Sequence, residues 1–197
     1  MYLTFSRREL REILISVVVL SIVFSDFTVT STIYSFIAVG FAFTFHEMGH
    51  RFVANRYGFH AEYRMWVKGL MLALLLAVIS KGSFVFAAPG AVVIRGAISR
   101  DRYGKIALAG PIVNVILAVV FLGILLVAGV STIFGFDLSL ILGICSWSII
   151  VNLFLAAFNM LPFTPLDGAS VMAWNRWVWA VIEVPLILVM LSLMFLF

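Results

Sequence analysis

Long apolar runs separated by short polar clusters organise this chain. A helix needs about 20 mostly apolar residues to cross membrane hydrocarbon, and five stretches qualify: 13–30, 33–54, 106–130, 138–161 and 177–197. A sixth run, 69–80, is apolar but short of a full span. It is followed by 82–95, which is rich in β-branched and aromatic residues and punctuated by Pro89 and Gly90, the marks of strand and turn. An open sheet cannot cross lipid, because its edge amides and carbonyls would go unpaired. The expectation is therefore a partly inserted helix or strand at 69–80, then a short β-hairpin within 82–95, buried against the bundle. The fold class that follows is an all-α polytopic membrane protein with five to six transmembrane helices and a small β-hairpin after the second span.

Composition agrees with the pattern. The 197 residues are 64% hydrophobic and only 11% charged, with mean hydropathy +1.18, far from the roughly 25% charged residues of soluble domains. With no linker-like or low-complexity tract, the chain is expected to form one domain, 1–197, with its core at roughly 33–170. The net charge of +4 does not mark a nucleic-acid binder, because the basic residues flank apolar segments instead of forming a basic domain. They mark sidedness. Lys and Arg near span ends stay cytoplasmic, and with the N-terminus inside, the loops around 31–32 and 131–137 lack them. All thirteen basic residues then fall on the cytoplasmic side. Arg7, Arg8 and Arg11 precede the first span, but no small-residue cleavage site follows it, so it reads as an anchor helix instead of a signal peptide. Cys145, the single cysteine, sits in an apolar run and reads as a packing residue.

Against this background the stretch FTFHEMGHRF, 43–52, stands out. Ionisable groups inside a span are costly unless satisfied, so their default reading is functional. His46 and His50 are four apart, which on a helix separates them by about 40° around the axis and about 6 Å along it. Both imidazoles can reach one metal ion. Glu47 follows the first of them, where its carboxylate can approach a metal-held water without being a ligand, as in HExxH zinc hydrolases. A catalytic zinc needs a third protein ligand, and acidic candidates are few. Glu9, Glu12 and Glu62 belong to cytoplasmic surface segments, Asp26 and Asp137 to the opposite side, Asp101 to a charged turn, and Glu183 to the last span. Asp167 is the best placed: it follows Pro162 and Pro165, which break the fourth long helix at about the depth of His46, and Gly168 permits a tight turn there.

Together these residues resemble the site-2 protease family of intramembrane zinc metalloproteases. The resemblance rests on HEMGH at 46–50, AGPIVN at 109–114 and NMLPFTPLDG at 159–168, and covers roughly 36–170. It implies one Zn2+ held by His46, His50 and Asp167, with Glu47 as catalytic base and Asn159 near the reacting centre. It also implies β-structure after the HExxH helix. Ala169 stands where the family has a second glycine, and 64–91 is longer and more apolar than in the simplest members. No segment resembles a PDZ or CBS domain.

The expected function is hydrolysis of peptide bonds in transmembrane segments of membrane-anchored proteins, within the lipid bilayer near its cytoplasmic face, by a multi-pass integral membrane enzyme. Two other classes are open: a metal or proton transporter, since buried histidines and carboxylates also build ion pathways, and an inactive scaffold of the same fold. A single ligand cluster near one face argues against the first, the intact Glu47 against the second. Asn114 suits the active site or an interhelical hydrogen bond equally; Asn152 suits helix packing; His60 is read as a surface histidine, and Trp66, Trp174, Trp177 and Trp179 as interfacial anchors.

Overall fold

The computed structural model describes residues 5–133 and 138–196. The predicted outer loop at 131–137, with Asp137, and the last residue of the fifth predicted span lie wholly or partly outside them. Among the described residues seven helices and two strands follow one another: α1 (Arg7–Val23), α2 (Val29–Arg56), β1 (His60–Met65), α3 (Val67–Ile79), β2 (Gly90–Arg95), α4 (Arg100–Ile133), α5 (Ser139–Met160), α6 (Asp167–Trp174) and α7 (Arg176–Leu196).

Four of these helices, α2, α4, α5 and α7, are long and apolar enough to cross a membrane, and they coincide with four of the five predicted spans. The first prediction, 13–30, is divided. A capping box starts α1, with Ser6 Oγ accepting the Glu9 amide at 3.0 Å, so the helix begins before the apolar run and ends at Val23. Thr28 then caps α2 through the amide of Ser31, and Asp26 joins the same turn by accepting from the Thr28 amide.

The predicted hairpin within 82–95 is not what forms. β2 pairs antiparallel with β1, in a register that sets His60 against Arg95 and Met65 against Gly90, and α3 lies between the two strands in the chain. The partner strand was hidden in the polar segment after α2, which alternation of exposure reveals only once folded: Ala61 and Tyr63 are buried while His60 faces out. The run at 69–80 folds into α3, a 13-residue apolar helix shorter than the four membrane-length ones. It packs along α1, where Ala73 and Ala77 meet Val23, and Gly82 arrives beside Ser25 and Asp26 in the turn between α1 and α2. The chain then returns through 84–89 in irregular extended form. Backbone of this kind is tolerated at membrane depth where protein covers it, and Ala87 and Ala88 are buried while Phe86 packs edge-on against Phe158 at 5.5 Å.

The main core gathers Leu20 of α1, Ala38, Ala42 and Phe43 of α2, Tyr63 of β1 and Leu155 of α5. A second cluster joins Met160, Val171 and Leu186 at the α5, α6 and α7 junction. Two carboxylates expected on the surface belong to the interior: Glu9 is 2% and Glu12 4% exposed. Both are paired inside the protein. Arg51 donates to both oxygens of Glu9 at 2.8 Å, and Arg8 donates to Glu12 at 2.7 Å.

Candidate metal centre

His46 and His50 occupy successive turns of α2 on its buried face. Their Nε2 atoms lie 3.0 Å apart, and each is 3.2 Å from Asp167 Oδ2. Among the described residues these three form the group able to share a metal ion. The triangle is nearly regular. Ligands at about 2.0–2.1 Å in tetrahedral array stand about 3.3 Å from one another, so a zinc fits above this triangle with little adjustment.

Two elements deliver the three side chains, α2 both histidines and α6 the aspartate. α5 ends at Met160, where the Pro162 to Pro165 segment leaves the helical path, and Asp167 opens α6. The turn is tight enough that any side chain at Gly168 would run into the carbonyls of Met160 and Leu161. α4 supplies the opposite wall. A Cβ at Gly110 would sit 2.6 Å from His46 Nε2, so glycine keeps open the space beside the imidazoles that an ion would take. Gly49 brings α2 and α4 together: a methyl group on it would stand only 3.0 Å from the Ala109 carbonyl oxygen.

Hydrogen bonds fix the ring nitrogens. Asn114 Nδ2 donates to the Ala42 carbonyl at 3.0 Å and to Asn152 Oδ1 at 2.9 Å, which leaves Asn114 Oδ1 as acceptor for His46 Nδ1 at 2.5 Å. The Ile106 carbonyl accepts from His50 Nδ1 at 2.7 Å. With both Nδ1 atoms protonated, both Nε2 lone pairs face Asp167. Asn152 is in turn held by donating to the Ser148 carbonyl at 2.8 Å. Asn114 and Asn152 are fully buried, and together they orient the first histidine, a role that a single sequence could only narrow to packing or active site.

Glu47 and Asn159 line the same cleft as the triangle, together with Ala87, Gly90, Val92 and Ile94 of the returning segment and β2. Glu47 is 7% exposed, and its Oε2 has no hydrogen-bond partner among the described residues. One amide hydrogen of Asn159 goes to the Leu155 carbonyl at 2.9 Å, leaving the other for the cleft. The remaining acidic residues stay apart. Asp101 accepts from Lys105 and Trp174, Glu62 from Ser6 and Arg64, and Glu183 is buried in α7 away from the triangle. His60 is exposed.

No protein-family model matches the chain, and no solved structure does. Two curated proteins of Methanocaldococcus jannaschii are similar. One, named "Putative zinc metalloprotease MJ0611", is 43% identical over 194 residues, which cover 97% of each chain. The other, "Zinc metalloprotease MJ0392", is 28% identical over 137 residues, 70% of this chain and 32% of its own length. Near full-length identity at that level, in a chain whose two histidines and aspartate close on one ion-sized space, places the protein in the zinc metalloprotease family.

Proposed function

We propose that the protein is an intramembrane endopeptidase of the site-2 protease type, with His46, His50 and Asp167 as zinc ligands, Glu47 as general base and acid, and Asn159 as a substrate contact. The observation that carries this reading is the convergence of three ligand atoms within 3.2 Å beside a buried carboxylate oxygen that nothing in the described protein satisfies. Zinc in that position would supply Lewis acidity toward water and the scissile carbonyl. Glu47 takes the proton from the attacking water and returns it to the leaving amine. The unspent amide hydrogen of Asn159 is available to the substrate backbone or the developing oxyanion.

The four long apolar helices support a multi-pass protein in the bilayer. Arg56, Arg64, Arg95, Arg100 and Arg102 collect at the end where α2, the sheet and α4 meet, close to the ligands. By the positive-inside rule that end faces the cytoplasm, and water reaches the cleft from there. A substrate helix hides its carbonyls in its own hydrogen bonds, so it must unwind before attack. The β2 edge beside the triangle offers the extended stretch backbone partners.

Substitution Glu47→Gln tests the assignment. With a membrane-anchored reporter co-reconstituted in proteoliposomes, the variant should keep one zinc per chain and lose cleavage by about 10²–10⁴-fold, the range for a general acid–base group. Cleavage at the wild-type rate, or zinc flux into the liposomes without cleavage, would contradict it.

A further inference from the structure

The two strands present unequal edges. In an antiparallel ladder alternate residues direct their N–H and C=O toward the partner and away from it. The observed register, with Tyr63 and Met65 amides bonded on the side away from β2, turns Ala61, Tyr63 and Met65 outward from β1. On β2 the outward residues are then Gly90, Val92 and Ile94, which line the cleft that holds the metal triangle.

Two of the outward amides of β1 are already taken. Glu9 Oε1 accepts the Tyr63 amide at 3.0 Å, and Glu12 Oε2 accepts the Met65 amide at 3.0 Å. Three residues apart on α1, the two carboxylates lie on one face of that helix and meet amides two residues apart on the strand. A third strand would satisfy those amides but would itself present a new edge; a carboxylate satisfies them and carries no donor with which to continue a ladder. The charges are compensated within the protein. Arg51, the residue after His50, donates to both Glu9 oxygens, and Arg8 pairs with Glu12. The Tyr63 hydroxyl shares a 2.8 Å hydrogen bond with Ser16 of α1, and its ring meets Phe43 of α2 edge-on at 5.3 Å. Glu9 thereby ties the strand directly to the helix that carries the histidines.

We propose that Glu9 and Glu12 are positioning residues that close the β1 edge and lock the sheet against α2, so that an extended substrate pairs only with β2 and in one register relative to the metal triangle. The inference rests on the hydrolase reading for its consequence, and on the hydrogen bonds of α1 to β1 for its cause.

The test compares Glu12→Gln, which keeps an acceptor for the Met65 amide, with Glu12→Leu, which removes it, in the full chain loaded with zinc in nanodiscs. Fluorescently labelled β-casein serves as an unfolded substrate probe. In Glu12→Leu the Met65 amide should exchange with solvent at least about 100-fold faster, and KM should rise about 10-fold with kcat and zinc content within about twofold of wild type. Glu12→Gln should restore KM. Wild-type KM in Glu12→Leu, or equal damage in both variants, overturns the proposal. Should Glu12→Leu fail to fold, the Glu47→Gln protein with casein decides: protection should increase at Val92 and Ile94 and stay unchanged at Tyr63 and Met65, and a change at the latter pair overturns it. If the wild-type protein cleaves nothing, the hydrolase reading fails separately, while the Met65 exchange rates still judge whether Glu12 closes the edge.

Discussion

At the scale of single residues, Asn114 decides which nitrogen of His46 faces the metal space. Its amide hydrogens are committed to Ala42 and Asn152, so only its oxygen remains for the ring. Outer partners of this kind typically contribute 10–100-fold to metal affinity, and Asn114→Leu should weaken zinc binding by about that factor in a chelator competition titration; unchanged affinity would show that the ring is oriented some other way. Gly110 makes a sharper demand. A methyl group there would stand 2.6 Å from His46 Nε2, crowding the nitrogen that would hold the ion. Gly110→Ala should therefore lose zinc by elemental analysis while keeping wild-type helicity by circular dichroism, and wild-type zinc content would place the ion elsewhere. The residues that carry the candidate chemistry were legible in the sequence, because i,i+4 spacing and a proline-broken helix end are local signals. The tautomer was not, since it depends on α4 and α5 reaching the back of the ring.

Among elements, the approach of α2 to α4 sets the site. Gly49 lies between the two histidines and against the Ala109 carbonyl, so the helices meet where the ligands are. Gly49→Leu should force them apart and cost zinc binding by about 10-fold or more, read by the same titration, with unchanged affinity showing that the crossing has slack. The long helices α2, α4, α5 and α7 could be read from apolar run length alone. The sheet could not. β1 is six residues long and mostly polar at its start, and its hydrogen-bond partners are a strand 25 residues later and two carboxylates on α1. Local pattern carries no trace of such non-local pairing. The same carboxylates looked like surface charge because helix periodicity does not disclose that Arg51 waits opposite.

For the whole molecule, the reach of α3 changes the charge map. Counting basic residues put all thirteen on one side, yet Gly82 contacts the α1–α2 turn, which carries Lys81 to the end opposite the sheet. Single-cysteine variants in a Cys145→Ser background should separate the two: Lys81→Cys should react with an impermeant maleimide from the same side as Phe27→Cys, and Arg95→Cys from the other. Labelling of positions 81 and 95 from one side would contradict this arrangement. Packing of Ala73 and Ala77 on α1 holds the short helix on that path. The central claim, however, is that two imidazoles and one carboxylate from separate elements hold a single zinc. X-ray absorption at the zinc edge of the purified protein tests it most directly: the account predicts one zinc per chain with two imidazole nitrogens and oxygen ligands at about 2.0–2.1 Å, and loss of that zinc in Asp167→Ala. Zinc retained with an unchanged spectrum in Asp167→Ala, or a sulfur ligand at about 2.3 Å, would contradict it.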